Sequence, residues 1–163
     1  MSAFPAMSPD QLPDLSLVTS MSGLAYMQAV ARGEIAGAPI AGTLNFTIDL
    51  VEDGRVVFSG TPEFGGLNLM GTVHGGWYGT LLDSCMACAV MTKVPQGRVQ
   101  TTMEFKVNII RPLPLGVAVL AEGRVQHVGR STGIATGELR GEQDGRLYAT
   151  GSTTCMIMAP PPA

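Results

Sequence analysis

The sequence predicts an α+β fold in which one antiparallel β-sheet curls around a long, buried helix, with a short helix on its N-terminal side. Three observations lead to this prediction. Six segments have the composition and turn signals of strands, and most of them are joined by short turns, as antiparallel neighbours are. The segment from Gly75 to about Met91 is apolar almost all round, so a helix there needs cover on most sides. The chain has 163 residues, 45% of them hydrophobic, which suits one domain of this kind.

The N-terminal region is predicted to contain a tail and one short helix. Residues 1–18 contain three Pro, three Ser, two Asp and one Gln, and we expect them to be a flexible segment ahead of a single domain at 19–159. The sequence SGLAYMQAVARGE follows, with Ser22 as a candidate N-cap and Gly33 as a stop signal. Its apolar residues have helical spacing, so a short amphipathic helix is expected.

Two strands are predicted between this helix and the long one. Pro39 opens the segment IAGTLNFTIDLV, which has the composition of a strand. The Asp53-Gly54 turn then leads into a second strand, RVVFSG, so the two form a hairpin. A glycine-rich connection reaches the long helix, which Pro95 and Gly97 bring to an end.

The remainder of the chain is predicted to form four strands. They are VQTTMEFKVNIIR, GVAVLAEGRVQHVG, STGIATGELRGE and RLYATGSTTCMIM. In the first of them Met103, Phe105, Val107 and Ile109 alternate with polar residues. This alternation predicts that one face of the strand lies in the core and that the other is polar.

Charge and composition argue against several classes of function. The net charge is -3 and the 10 Lys and Arg residues are scattered, so nucleic acid is not expected as a partner. No apolar run approaches the roughly 18 residues that cross a bilayer, and the first residues lack the features of a signal peptide, so we expect a cytoplasmic protein without a membrane partner. Cys85 and Cys88 form a lone CxxC and Cys155 lies apart. We therefore expect small buried thiols, and neither a metal nor a redox cofactor.

The residues that suggest chemistry lie in GTVHGGWYGTLLDS, at 71–84. Gly75 and Gly76 at a helix start leave N–H groups that suit an oxyanion or a polarised carbonyl, although a tight turn explains the pair equally well. Asp83 is an acid in an apolar helix, which indicates a general base, a nucleophile or a structural hydrogen bond. His74 is a candidate base, metal ligand or anchor.

The spacing of these residues raises a geometric problem. A helix separates Gly75 from Asp83 by about 12 Å along its axis, at ~1.5 Å per residue. That distance is too long for one proton relay. Either the two residues are unrelated, or a second chain places its Asp83 close to Gly75 of the first chain.

Two further candidates lie outside this segment. Asn68 precedes His74 by six residues and is a candidate to hold a water or a carbonyl, although loop asparagines usually cap loops. Arg130 and the hydroxyls of GRSTG suit a phosphate, although one arginine in a turn is more often solvated. Neither a Walker loop nor a dinucleotide fingerprint occurs.

The chain from about Gly23 to Met158 resembles the PaaI-type acyl-CoA thioesterases of the hotdog superfamily. The resemblance rests on NLMGTVHGGWYGTLLDSCMACAV, TTMEFKVNIIRP and the tail that begins HVGRSTG. Its most specific part is Asn68 followed by HGG, with an acid nine residues after the histidine. The resemblance implies the hotdog fold in a homodimer, often doubled to a tetramer. It also implies an active site across the dimer interface, where Gly75 of one chain faces Asp83 of the other.

The resemblance also implies a role for each site residue. The N–H of Gly75 would polarise the thioester carbonyl, while His74 and Asn68 order that side of the site. Asp83 would be the nucleophile or the base that activates water, and Thr102 would hold that water. The implied contacts to CoA and the rest of the substrate are Arg130, Ser131, Gly76 and Trp77. Ala87 stands where some relatives have a hydroxyl.

The function implied is hydrolysis of a small aromatic or short- to medium-chain acyl-CoA, or of an acyl-carrier-protein thioester. CoA is part of the substrate, and no other cofactor is expected. Met70, Trp77 and Tyr78 suggest a soft acyl pocket, although core packing explains them equally well. Two alternatives stay open: a hotdog dehydratase that uses His74 and an acid on a hydroxyacyl thioester, and a non-catalytic acyl-CoA sensor.

Overall fold

A computed structural model describes residues 3–160. In this range the helices are α1 (Leu15–Thr19), α2 (Gly23–Ala31), α3 (Pro39–Thr43) and α4 (Gly75–Met91). The strands are β1 (Phe46–Glu52), β2 (Arg55–Gly60), β3 (Val99–Ile109), β4 (Val119–Val128), β5 (Thr132–Gly141) and β6 (Leu147–Met158). None of the described helices is both long and apolar enough to cross a membrane.

The strands form one antiparallel sheet in the order β1-β2-β4-β5-β6-β3. This sheet curls around α4, which contacts every strand. The residues of α4 that are fully excluded from solvent are Leu81, Leu82, Cys85, Met86, Ala89 and Val90. The structure therefore confirms the predicted α+β architecture, with a sheet wrapped around a long central helix.

The curled sheet leaves one strip of α4 uncovered, between its two edge strands β1 and β3. The partly or fully exposed residues of the helix lie along this strip, namely Gly75, Gly76, Thr80, Asp83, Ser84, Ala87 and Cys88. Helix α2 packs against β1 and α4, so it borders the strip on one side. The only acidic residue of α4 thus lies on the part of the helix that other molecules can reach.

A row of glycines allows α4 to lie close to the sheet. Gly123, Gly137 and Gly151 pair with one another across β4, β5 and β6. A Cβ on Gly123 would lie 2.2 Å from the carbonyl oxygen of Cys85, and one on Gly137 would lie 2.9 Å from Cγ of Met86. Side chains at these positions would push the helix away from the sheet.

The sequence-based prediction is wrong for the start of the first strand. Pro39 begins the short helix α3 instead of a strand, because its fixed φ and missing N–H suit the first turn of a helix. Asn45 then has a φ of 55°, a left-handed conformation that asparagine tolerates. This residue redirects the chain, and β1 begins only at Phe46.

The burial predicted for β3 is also wrong. The side chains of Met103, Phe105 and Ile109 are 61%, 46% and 49% exposed, although the alternation predicted a core face. The reason is that β3 is an edge strand that pairs only with β6, so no further strand of the described chain covers its outer side. A register shift between Thr102 and Glu104 interrupts the ladder at this point.

The N-terminal segment lies along the body of the domain. The carbonyl of Phe4 accepts the N–H of Gly37 at 2.8 Å, and the N–H of Ala6 donates to the carbonyl of Gly37 at 2.9 Å. Helix α1 follows, and Asp14 caps it by accepting the N–H of Leu17. Residues 1 and 2 of the segment expected to be flexible lie outside the described residues. The described part joins α2 and α3 in walling a cavity.

We expect Gly123→Ala to lower the free energy of unfolding by about 2–4 kcal/mol, because the new Cβ would overlap a backbone carbonyl of α4. The matched control is Gly65→Ala, since no atom lies within 4 Å of the added Cβ. This change should stay within about 0.5 kcal/mol of the original protein. Urea unfolding of both variants provides the measurement, and equal unfolding midpoints would contradict the role assigned to Gly123.

Candidate active site

The start of α4 presents one free backbone donor. His74 caps the helix, because its Nδ1 accepts the N–H of Gly76 at 2.8 Å and its carbonyl accepts the N–H of Trp77 at 3.0 Å. Among the described residues no group accepts the N–H of Gly75, which is exposed. The helix dipole adds to the partial positive charge of this donor. The two glycine donors that the sequence suggested are therefore reduced to one.

The same contact defines the role of His74. Its Nδ1 is an acceptor in this contact, so the ring is held against the first turn of the helix. Of the three roles open from the sequence, this geometry matches the anchor of the helix start. The imidazole then acts on the site by holding the backbone of Gly75 and Gly76 in place.

Asn68 organises the loop that leads to the helix. Its Oδ1 accepts the N–H groups of Met70 at 2.9 Å and Thr72 at 3.2 Å, and its Nδ2 donates to the hydroxyl of Thr72 at 2.8 Å. The N–H of His74 donates to the carbonyl of Gly66 at 2.8 Å and closes the loop. The polar atoms of the Asn68 side chain are thus used inside the loop, which matches loop capping.

Asp83, about two helical turns after Gly75, forms a hydrogen bond with Thr102. The hydroxyl of Thr102, on β3, donates to Oδ1 of Asp83 at 3.0 Å. Burial raises the pKa of Asp83, and the hydrogen bond from Thr102 offsets only part of this effect. No ion pair of the described chain includes Asp83. A half-buried carboxylate without a cation is suited to accept a proton or to attack an electrophile.

Gln100 is a site residue that the sequence analysis missed. Its Nε2 donates to the carbonyl of Ala87 at 3.3 Å, one helical turn after Asp83. Its buried Oε1 accepts no hydrogen bond from the described residues. Because Gln100 precedes Thr102 by two residues on β3, strand alternation places both on the face toward α4. That alternation is the signal that identifies Gln100 from the sequence.

Trp77 requires a correction, since the sequence analysis assigned it to substrate binding. Its side chain is only 3% exposed, and its Nε1 donates to the carbonyl of Leu44 at 2.9 Å. The residue lies on the face of α4 that the sheet covers, so it belongs to the core. Tyr78, next to it, is also buried, and its hydroxyl accepts the N–H of Leu113 at 2.6 Å.

The remaining predicted contacts lie at a different place in the single chain. Arg130 and Ser131 are exposed in the turn between β4 and β5. The nearby Gly133 packs against Val90, near the C-terminal end of α4. Gly75 is at the N-terminal end of the same helix. One chain therefore does not bring Arg130 and Ser131 together with Gly75.

The three cysteines remain free thiols in the structure. Burial raises the pKa of each of them, to about 12 for Cys88, so they are neutral and weakly reactive at physiological pH. In the described part of the chain, no group of three His, Cys, Asp or Glu side chains converges as metal ligands would.

Comparison with solved structures identifies a close match in architecture. The crystal structure of a thioesterase from Ralstonia eutropha JMP134, described as a phenylacetic acid degradation-related protein, superposes with a TM-score of 0.72 and 32% sequence identity. The match covers 80% of this chain and 98% of that one. A sequence model of the thioesterase superfamily matches residues 70–148, which include the helix start, Asp83 and Thr102.

Two curated relatives each align with a little more than half of the chain. A protein of Caenorhabditis elegans described as an esterase is 32% identical over 92 residues, which are 56% of this chain and 54% of that protein. Acyl-coenzyme A thioesterase 13 of Mus musculus is 26% identical over 87 residues, which are 53% of this chain and 61% of that protein. The chain thus spans little more than half the length of these relatives.

We expect Asp83→Asn to make the protein more stable at neutral pH. The folded-state pKa of Asp83 lies above its ordinary value of 3.8, so ionisation of the buried carboxyl costs stability as the pH rises through that range. Asparagine keeps an acceptor for Thr102 and removes this cost. The melting temperature should rise by a few degrees at about pH 7, and the difference should shrink toward about pH 3.

Asp49→Asn is the control for this measurement, because Asp49 is exposed on β1. Its melting temperature should follow that of the original protein at both pH values. A lower stability of Asp83→Asn at neutral pH would show that the carboxylate has a stabilising structural role instead.

Proposed function

Because this chain belongs to the thioesterase superfamily, we propose that it hydrolyses an acyl-CoA to free CoA and a carboxylic acid. The observation that carries the proposal is the position of Asp83. This acid has a raised pKa, accepts a hydrogen bond from Thr102 and lies on the only accessible strip of α4. The similarity to a phenylacetic acid degradation-related thioesterase confirms the predicted PaaI-type family and its hotdog fold. The name of the mouse relative supports CoA as the thiol carrier.

Each residue of the site has a step in this reaction. The N–H of Gly75 donates to the thioester oxygen and stabilises the negative charge that develops there in the tetrahedral intermediate. Asp83 either removes a proton from the attacking water or attacks the carbonyl carbon itself, and water then hydrolyses the resulting anhydride. The C–S bond breaks and CoA leaves as a thiolate. Because the thioester carbonyl is already electrophilic, this scheme requires no additional cofactor.

Thr102 is proposed to orient the acid. Its hydroxyl occupies Oδ1 of Asp83, while Oδ2 has no hydrogen-bond partner among the described residues. That free oxygen is available to a water or to the substrate. The buried Oε1 of Gln100, two residues before Thr102 on β3, also lacks a hydrogen-bond partner among the described residues.

We propose a homodimer as the active form. Gly75 and Asp83 are about 12 Å apart along one helix, so one chain cannot apply both to the same carbonyl. The edge strand β3 exposes Met103, Phe105 and Ile109 together with one unpaired side of its backbone. A second copy that docks on this edge buries the apolar side chains and brings its own α4 alongside. A further doubling to a tetramer is part of the same proposal.

We also propose that the protein works in the cytoplasm with acyl-CoA as its partner. Three free cysteines suit a reducing compartment, where disulfides are rare. The net charge of -3 offers no general attraction for nucleic acid or anionic lipid. We also propose Arg130 and Ser131 as CoA contacts. They do not lie beside Gly75 of their own chain, but in a dimer the partner chain brings other elements next to each Gly75.

The direct test measures thiol release with a thiol-reactive dye from phenylacetyl-, butyryl- and octanoyl-CoA. A thioesterase releases CoA from at least one of them. A dehydratase acts on hydroxyacyl thioesters without releasing thiol, and a sensor binds acyl-CoA without turnover. The absence of thiol release from every substrate, with binding retained in calorimetry, would replace the proposal by the sensor.

We expect Gly75→Pro to lower kcat by about 100- to 1,000-fold, because it removes the proposed oxyanion donor and little else. Proline is favoured at the first helical position, and His74 has the extended backbone, φ −66° and ψ 140°, that precedes proline. Gly75→Ala is the control, since it keeps the N–H and its Cβ makes an ordinary 3.4 Å contact with Ile109. Equal losses in both variants would argue against the donor role.

A shared site predicts that two inactive variants restore each other. Asp83→Asn and Gly75→Pro should each lose most activity alone, Asp83→Asn by about 1,000-fold or more. In a mixed dimer one of the two sites combines a native Gly75 with a native Asp83. Coexpression in equal amounts should therefore recover about a quarter of the original activity, since half of the dimers are mixed. No recovery in isolated mixed dimers would contradict a site that spans two chains.

A further inference from the structure

A cavity of about 510 Å³ lies beside Asp83, on the side of α4 that faces β1. Its floor is formed by Ser84, Ala87 and Cys88 of α4. Its volume falls within the range of about 300–1,000 Å³ that small-molecule sites occupy. The sequence suggested an acyl pocket around Met70, Trp77 and Tyr78, but none of these residues lines the cavity.

The cavity and the proposed catalytic acid share the uncovered strip of α4. Ser84 follows Asp83 directly, and Ala87 lies one helical turn further on. Asp83 turns toward β3, where Thr102 binds it, while the cavity extends toward β1 and its residues Phe46 and Ile48. A thioester placed at Asp83 therefore lies within about one helical turn of the residues that form the cavity floor.

The outer walls of the cavity come from the N-terminal part of the chain. Phe4, Pro5 and Leu12 line it together with side chains of α2 and α3. The backbone bonds between the segment at Phe4–Ala6 and Gly37 hold this wall in place. All of these residues lie outside the region 70–148 that the superfamily model matches. The wall is thus a feature of this chain in addition to the matched catalytic region.

The lining accepts an apolar and uncharged group. Within residues 3–160, no Asp, Glu, Lys, Arg or His lines the cavity. The hydroxyl of Ser84 already donates to the carbonyl of Thr80 at 2.8 Å, and the thiol of Cys88 is neutral, because burial raises its pKa to about 12. Tyr26 and Thr47 add two hydroxyl groups to the lining but no charge, so a phosphate or a carboxylate would lose its hydration there without gaining a cationic partner. The nucleotide part of CoA therefore does not fit, whereas a hydrocarbon tail does.

We propose that this cavity receives the acyl chain of the substrate and that the N-terminal segment, with α2 and α3, limits the length of that chain. The inference rests on the proposed function and names its substrate class: medium-chain acyl-CoA with an uncharged tail. Under this assignment residues 3–13 are a specificity wall. Acyl chains too short to reach this wall do not contact it, whereas acyl chains that fill the cavity do.

The test compares kcat/KM for butyryl-, octanoyl- and dodecanoyl-CoA in variants of the walls. Ala41→Phe, on α3, places a ring in the cavity and should lower kcat/KM for octanoyl-CoA by about tenfold or more while leaving butyryl-CoA within about twofold. Ile40→Phe is the matched control, because Ile40 is adjacent, 44% exposed and outside the cavity lining. It should leave the profile unchanged.

A second variant opens the wall instead of filling the cavity. Phe4→Ala removes a side chain that is 45% exposed and keeps the backbone bonds to Gly37, so it should fold normally. The ratio of kcat/KM for dodecanoyl-CoA to that for octanoyl-CoA should rise about threefold or more. This variant decides the question even where Ala41→Phe does not fold.

The outcomes separate this inference from the proposed function. No thiol release from any substrate would overturn the proposed function itself. Turnover with the same chain-length profile in the original protein, Ala41→Phe and Phe4→Ala would overturn only the assignment of the cavity. Glutaryl-CoA, whose tail ends in a carboxylate, should be at least about tenfold poorer than octanoyl-CoA, and equal turnover of the two would also overturn the assignment.

Discussion

The close packing of α4 against a curled sheet is the constraint on which the rest of the structure depends. The helix is apolar around most of its circumference, so the sheet must bend around it to exclude water. The paired glycines Gly123, Gly137 and Gly151 provide the space for this approach. A single sheet of six strands bends far enough to leave only one strip of the helix open. Asp83 lies on that strip, so the same packing that forms the core also selects the place where chemistry can occur.

Three features of the single chain cost stability and share one explanation. Asp83 has a raised pKa and no counter-charge in the described chain, Gln100 leaves a buried acceptor unpaired, and Phe105 on β3 is half exposed. Unfavourable local arrangements of this kind are expected where a protein binds substrate or partner. In the proposed dimer, a second copy on the β3 edge would cover the apolar side chains, and substrate and water between the two chains would satisfy the polar groups.

The two sides of the open strip have different chemical tasks. Toward β3, Thr102 binds Asp83 and Gln100 binds the carbonyl of Ala87 one helical turn further on, so this side of the strip is polar. Toward β1, the cavity is apolar and is completed by the N-terminal segment. The proposed reaction centre thus lies within residues 70–148, which match the superfamily model, and the proposed selection of the acyl chain lies largely outside this range. A separation of this kind allows substrate preference to change without disturbing the acid and the helix start.

The sequence by itself determined the elements that depend on local signals. Six strands, the limits of α4 at Gly75 and Met91, and the grouping of His74, Gly75 and Asp83 follow from periodicity, caps and turns, which act between neighbouring residues. The tertiary structure decided which surfaces are covered: Trp77 lies in the core, β3 is open at the edge, and the N-terminal segment walls a cavity. The physical reason is that a pattern shows which side chains avoid water, but burial depends on which distant segment packs against them.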